Sequence, residues 1–136
     1  MAAGPVGDDC RMSQVDGQIE GATHSEVGGL TVDEVPAGTA RLKRLVYPPG
    51  WRWSSDMRPI SGTEWCQHAH VSFVAAGCME IAYADGCTTR YQAPAFAVVE
   101  PGHDGWVVGD EPVVVVQVDH GAETVARFGM AGEHRH

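Results

Sequence analysis

Two histidines separated by one residue lie in a segment that is rich in metal-binding groups. Glu64 and Cys66 precede His68 and His70 at intervals of two residues. In an extended strand alternate side chains share a face, so all four are expected to point the same way. Two imidazoles at positions i and i+2 lie roughly 7 Å apart at their Cα atoms and can converge on one ion. The pattern predicts a metal clamp; the alternative is one core histidine and one surface histidine.

A third imidazole follows the turn sequence Glu-Pro-Gly at positions 100–102. Proline and glycine favour a tight turn, which would deliver His103 at the start of the next strand. Three ligands from two strands leave a coordination position open for water or substrate, as a catalytic metal site requires. We therefore predict that His68, His70 and His103 share one divalent transition metal. Imidazole ligands suit Fe, Zn, Ni or Cu and do not choose among them.

Short β-rich segments separated by turn residues surround these histidines. Asp85-Gly86 predicts a hairpin, and segments 106–108 and 113–119 predict another hairpin. Segment 122–130 fits either a last strand or a short helix. About eight strands with such turns predict an all-β sandwich or closed barrel. The remaining predicted strands are segments 41–47, 51–54, 64–76, 79–84, 88–91 and 95–99.

Size and charge exclude several classes of protein. A chain of 136 residues has room for one ordinary domain. Its formal net charge of −9 excludes nucleic acid and anionic membranes as principal partners. No segment approaches the roughly 18 consecutive apolar residues of a membrane span. The first ten residues lack a basic start and an apolar run, so we expect no secretory signal, a cytoplasmic location and reduced cysteines.

The chain divides into three predicted parts. Residues 1–30 are acidic and glycine-rich without periodicity, which predicts a flexible N-terminal arm. Residues 31–130 form the predicted barrel domain, and residues 131–136 form a tail. The tail holds His134 and His136, which we leave outside the predicted site because a chain terminus is a poor scaffold for one.

Three motifs together resemble those of the cupin family. They are Tyr-Pro-Pro-Gly at 47–50, the run from Gly62 through His68-x-His70 to Gly77, and Glu-Pro-Gly-His at 100–103. The resemblance covers about residues 40 to 120. It implies an all-β, cupin-like jelly-roll β-barrel, commonly a homodimer, with a metal inside.

The sequence departs from the family pattern at its ligands. His70 stands seven residues before Gly77, where the family has glutamate. The family His-x-His would fall near residues 56–58, which contain no histidine, and its final histidine would fall at Gly105. The resemblance thus implies a rebuilt metal shell of His68, His70 and His103. Cys66, Glu64 or water would complete it.

Two functions of different class fit these residues. The first is a metal-dependent enzyme with oxygenase- or lyase-type chemistry on a small organic molecule. The second is a non-catalytic cupin that binds a small molecule as a sensor or carrier. In both, Trp51 and Trp53 would line the barrel mouth and contact the ligand, and Glu64 would contact the ligand or move protons. A purely structural dimer has only the Val-rich hairpin in its favour.

Overall fold

The computed structural model describes residues 17–134, which form nine strands and three short helices. The helices are α1 (Trp53–Asp56), α2 (Arg58–Ser61) and α3 (Thr124–Phe128), the last preceded by a 3₁₀ turn at Gly121–Glu123. The strands are β1 (Thr23–Val27), β2 (Leu30–Ala37), β3 (Ala40–Tyr47), β4 (His70–Ala76), β5 (Cys78–Tyr83), β6 (Thr88–Gln92), β7 (Ala95–Val99), β8 (His103–Val107) and β9 (Val113–Asp119).

The strands form two antiparallel sheets that enclose one apolar interior. The larger sheet has the order β1-β2-β3-β9-β4-β7, and the smaller has the order β6-β5-β8. Side chains alternate between interior and exterior, as in β7, where Ala97 and Val99 are buried while Phe96 and Val98 are exposed. Val113 and Val115 of the central strand β9 belong to the core. The predicted all-β, barrel-like architecture is confirmed.

The hairpin predicted at Asp85-Gly86 is present, between strands β5 and β6. The amide of Tyr83 donates to the carbonyl of Cys87, so the loop contains residues 84–86. Gly86 adopts a φ of 95°, which residues with a side chain rarely adopt. This conformation closes the three-residue loop. Cys78 lies opposite Gln92 in this hairpin. Among the described residues the three cysteines are reduced.

The strand predicted for residues 51–54 is wrong, because the chain turns into helices α1 and α2 there. The amide of Arg52 donates to the carboxylate of Asp56 at 2.9 Å, which closes the first turn locally. Pro59 stands at the start of α2, where its missing N–H costs nothing. The place of the family His-x-His, residues 56–58, thus lies in a helical segment rather than on a barrel strand.

The second predicted hairpin is also wrong, since its two strands belong to different sheets. Strand β8 pairs with β5 in the smaller sheet, whereas β9 lies between β3 and β4 in the larger one. Val113 and Val114 are both buried, although they point to opposite faces. A strand that is apolar on both faces is favoured at the centre of a sheet. Of the two alternatives for residues 122–130, the short helix is present as α3.

Strand β1 lies within the segment predicted as an arm. It pairs with β2, with Thr23 opposite Glu34 and Val27 opposite Leu30. A glycine pair at 28–29, both with positive φ, makes the turn between the strands. The predicted arm is thus ordered as a sheet edge over residues 23–27, and its residues 1–16 lie outside the described part.

No helix within residues 17–134 has the length and apolar character needed to cross a bilayer.

Candidate metal centre

Cys66, His70 and His103 converge at one wall of the barrel interior. One donor atom from each lies within 4.8 Å of the other two. The Cys66 Sγ and the His70 Nε2 are 4.0 Å apart, and the rings of His70 and His103 have centroids 5.1 Å apart at 64°. These three side chains form the cavity cluster.

Two pairings between distant segments bring the cavity cluster together. The amide of Cys66 donates to the carbonyl of His103 at 2.8 Å, and the amide of Gly102 donates to the carbonyl of Cys66 at 2.7 Å. Gly102 has a φ of 92°, which the turn before β8 requires. His70 is the first residue of β4, and alternation directs it to the same interior side as Ser72 and Val74.

Hydrogen bonds to Nδ1 determine which nitrogen of each imidazole is left for a ligand. The Asp119 carboxylate can only accept, so the Gln117 amide group that donates to it at 2.8 Å must be its NH₂. The Gln117 oxygen then accepts from the His70 Nδ1 at 2.8 Å. The His103 Nδ1 likewise donates to the carbonyl of Glu100 at 2.8 Å. Both rings therefore carry their lone pair on Nε2.

Burial keeps the cavity cluster uncharged. It lowers the pKa of His70 to about 4 and the pKa of His103 to about 3. Burial also raises the pKa of the Cys66 thiol to about 11. Near neutral pH the imidazoles are thus neutral, which is the form that binds a metal, whereas the thiol would lose its proton on ligation.

The donor set fits a transition metal. Metal distances of about 2.0 Å to nitrogen and 2.3 Å to sulfur place the ligands of a tetrahedral ion roughly 3.3–3.8 Å apart. The cavity cluster meets that spacing after side-chain movements of about 1 Å. Anchored Nδ1 atoms are the usual outer support of metal-binding histidines. Three ligands on one wall leave the cavity side open for a further ligand.

A cavity of about 220 Å³ adjoins the cavity cluster and has largely apolar walls. Trp51 and Trp53, predicted as ligand contacts, are both buried and both line it. The indole N–H of Trp51 donates to the carbonyl of Gly28 at 2.8 Å, and its ring packs edge-to-face on Tyr47. The Trp51 polar atom is thereby satisfied by protein, so this ring presents apolar surface to the cavity.

Two other predicted site residues, His68 and Glu64, lie outside the cavity cluster. His68 is exposed and lines the cavity, and among the described residues it is not a member of the metal-binding group with Cys66. Glu64 is exposed and does not contribute to the cavity wall formed by the described residues. Regular strand pairing begins at His70, and the alternation predicted from Glu64 onward fails at Glu64. Cys66, His68 and His70 all line the cavity, as the alternation predicts.

A polar network behind His70 was missed by the sequence reasoning. Asp119 accepts from Gln117 and Gly121 and from the Arg41 guanidinium, with Nε at 2.8 Å. Burial alone would raise the pKa of Asp119, but these donors together with Lys43 lower it to about 2. Gln117 and Asp119 share the interior face of a strand that is otherwise valine. Two polar residues two positions apart in an otherwise apolar strand were the sequence signal that could have predicted this network.

Comparison with known proteins identifies the fold. No protein-family model and no curated protein sequence matches the chain. A Cupin 2 conserved barrel domain protein from Salinispora arenicola superposes with a TM-score of 0.56 at 16% identity, covering 86% of this chain and 97% of that one. A cupin-like protein from Thermotoga maritima gives a TM-score of 0.55 at 14% identity, covering 80% and 84%. A cupin-2 domain from Rhodospirillum rubrum gives 0.53 at 16%, covering 78% and 72%. The predicted cupin fold is confirmed, and likeness at these identities establishes the fold alone.

Proposed function

We propose that this protein is a metal-dependent small cupin that binds a small organic molecule beside a divalent transition metal. Cys66, His70 and His103 would hold the metal. The observation that carries the proposal is their convergence on the wall of a cavity, with both imidazoles neutral and anchored through Nδ1. An enzyme with oxygenase- or lyase-type chemistry is the function that this arrangement supports best.

The metal would supply Lewis-acid or redox chemistry when bound. The chain's own residues would hold the ligating rings and exclude water. Gln117 and the Glu100 carbonyl hold the two rings in place through their Nδ1 atoms. The apolar walls exclude water from the reacting molecule. His68 lines the cavity and is exposed, so its side chain lies where the cavity meets solvent.

The cavity walls favour a small and mostly apolar ligand. Aromatic and aliphatic side chains provide most of the lining. The two cationic residues in the wall are already paired: Arg41 lies 2.7 Å and Lys43 3.5 Å from Asp119, and Lys43 also lies 4.0 Å from Glu34. The site therefore has little positive charge to spare for an anionic group. The ligand that fits is a small molecule whose one or two polar atoms bind the metal.

Metal analysis of tag-free protein purified without added metal tests the metal site. The parent should retain a divalent transition metal, and His70→Ala and His103→Ala should each lose the metal held in the cavity. His120→Ala is the matched control, since this histidine bonds the Thr39 carbonyl away from the cavity cluster. A parent without metal that also takes none up on dialysis, or equal metal in all variants, would contradict the proposal.

His68→Ala separates the proposed ligand set from the His-x-His clamp predicted from the sequence. Because the Cys66 Sγ and not the His68 ring joins the cavity cluster, His68→Ala should keep the cavity metal and Cys66→Ala should weaken its binding at least tenfold. Competition with a chelator, measured on both variants, reads out the affinity. The opposite order of losses would favour the clamp of His68 and His70.

A non-catalytic sensor or carrier is the second candidate, favoured by the two tryptophans in the cavity wall. It predicts that a bound small molecule quenches tryptophan fluorescence and that the quenching survives removal of metal by a chelator. Trp53→Phe should reduce the signal. Quenching that disappears on chelation would instead support the metal-dependent function.

We further propose that the chain acts as a homodimer in the cytoplasm. An apolar patch on the outer face of the larger sheet supports the dimer. Phe96 is 82% exposed and packs against Phe73 at 5.5 Å between ring centroids, with Val98 and Val116 close by. Light scattering should give twice the monomer mass, and Phe96→Glu should give a monomer. A parent that is monomeric at high concentration would contradict the dimer.

A further inference from the structure

A second group of metal-binding side chains lies on the surface, outside the barrel interior. It consists of Asp85, Cys87 and His134, each of which places one donor atom within 4.8 Å of the other two. Asp85 is exposed and the other two are half-buried, so solutes can reach the group. We call these three residues the surface cluster.

The β5–β6 hairpin turn presents two of the three donors. The Cys87 amide donates to the Asp85 Oδ1 at 2.9 Å, which folds the carboxylate over the turn towards the thiol. The chain reverses at Gly86, whose positive φ keeps Asp85 and Cys87 close together. A turn closed by its own hydrogen bonds holds a carboxylate and a thiol with little freedom to separate.

The C-terminal segment supplies the third donor. His134 belongs to the tail that the sequence reasoning excluded, yet its ring stacks on Tyr83 with centroids 3.9 Å apart and planes at 12°. Its Nδ1 lies 3.1 Å from the Glu100 carboxylate. Tyr83 is the last residue of β5, directly before the turn, so this stacking places the imidazole beside the surface cluster's other donors.

We propose that the surface cluster is a second binding site for a divalent transition metal, which joins the C-terminal segment to the β5–β6 turn. Thiolate, imidazole and carboxylate together suit Zn²⁺, Co²⁺ or Ni²⁺, whereas Mg²⁺ and Ca²⁺ require oxygen ligands. The donor spacing needs the same movement of about 1 Å as in the cavity cluster. The site is independent of the proposed function, because no residue is shared between the two clusters.

Cobalt titration tests both clusters at once, because each contains one thiol that gives thiolate-to-cobalt charge-transfer absorption when bound. The tag-free, reduced chain is titrated with Co²⁺ in excess Mg²⁺, which suppresses binding by carboxylates alone. All variants carry Cys10→Ala, since Cys10 lies outside the described residues. The parent should bind two equivalents, Cys87→Ala one and Cys66→Ala one. Cys78→Ala, which removes a thiol of neither cluster, should keep both.

His134→Ala should also lose one equivalent, but Glu100 contacts both His134 and His103, so Cys87→Ala is the cleaner variant. Two equivalents retained by Cys87→Ala would overturn the surface site. A single equivalent that Cys66→Ala abolishes and Cys87→Ala does not would also overturn it, while supporting the proposed function. A single equivalent that only Cys87→Ala abolishes would support the surface site and contradict the proposed function.

Discussion

The molecule has two buried polar groups, one on the outer face of the larger sheet and one in the barrel interior, and they differ in how their charges and donor atoms are matched. On the outer face, Asp33 and Arg44 are 2% and 7% exposed, and the Arg44 Nη2 donates to the Asp33 Oδ2 at 2.6 Å. The His24 Nδ1 lies 3.0 Å from the other carboxylate oxygen. In the barrel interior, the cavity cluster carries no charge, and its two imidazoles keep their Nε2 lone pairs. The charges of Asp33 and Arg44 are matched within the protein, whereas the donor atoms of the cavity cluster would be completed by the proposed metal.

The difference predicts opposite consequences of substitution. A buried ion pair that loses one partner leaves an uncompensated charge in an apolar surrounding. If the uncharged cavity cluster loses one side chain, no unpaired charge remains. The affinity for its ligand should therefore fall more than the folding stability. Stability should therefore depend most on the outer pair, and metal affinity most on the inner cluster and its supports.

The largest expected effect is on folding stability. Arg44→Ala leaves the Asp33 carboxylate buried without its guanidinium, and we expect a loss of about 3–5 kcal/mol in the free energy of unfolding. Metal binding by the folded protein should be unchanged. Urea titration gives the stability. The matched control is Arg90→Ala, whose pair with Glu80 is exposed on the arginine side and should cost at most about 1 kcal/mol. Equal losses in the two variants would remove the contrast between the regions.

An intermediate effect is expected from the residue that supports His70. Gln117→Leu removes the acceptor that holds the His70 Nδ1 while keeping a side chain of similar volume. We expect metal affinity to fall by about 10–100-fold, as is usual for residues that orient a ligand. Competition with a chelator measures it. Gln92→Leu, on an exposed strand of the smaller sheet, is the control. Unchanged affinity in Gln117→Leu would separate His70 from metal binding.

The smallest expected effect is the pH dependence of folding stability that arises from the buried pair of Asp33 and Arg44. Burial would raise the pKa of Asp33, but hydrogen bonds from His24 and Arg44 outweigh burial and hold it below the usual 3.8. The unfolded chain therefore takes up this proton first as pH falls. The contribution of Asp33 is complete above about pH 4 and is lost as the pH drops through the folded-state pKa.

Comparison with Asp33→Asn isolates this contribution. That variant is less stable at neutral pH, but it should lose less stability than the parent on acidification below about pH 4. Urea unfolding at several pH values gives both curves. Parallel curves would show that Asp33 has the same pKa in the folded and unfolded chains.

Strand periodicity predicted part of the site because one face of each strand is buried. His70 and Ser72 line the cavity as alternation requires, and so do His103 and Gly105 on β8. A period of two residues is a local property, and it can be read wherever the chain is truly extended. The pattern failed for Glu64, which does not line the cavity and lies before regular strand pairing begins at His70.

Local patterns were also insufficient where distant pairing decides the structure. The Val-rich segment fits a hairpin by its turn residues, yet it lies between β3 and β4, because a strand buried on both faces is more stable with two neighbours. Segment 51–54 has strand-like tryptophans, but Asp56 closes a helical turn behind them. His134 gave no signal in the sequence, since its place depends on stacking against Tyr83.

Residue types and their spacing were enough to establish an all-β barrel with histidines directed into it, because turn chemistry and alternation act over a few residues. Contacts between segments far apart in the chain determine which metal-binding side chains meet in the barrel interior. The backbone bridge between Cys66 and His103 brings into the cavity cluster the thiol that the sequence had offered as one of three completing ligands. Burial by the whole barrel then lowers the pKa of both imidazoles and leaves them neutral, which no local pattern specifies.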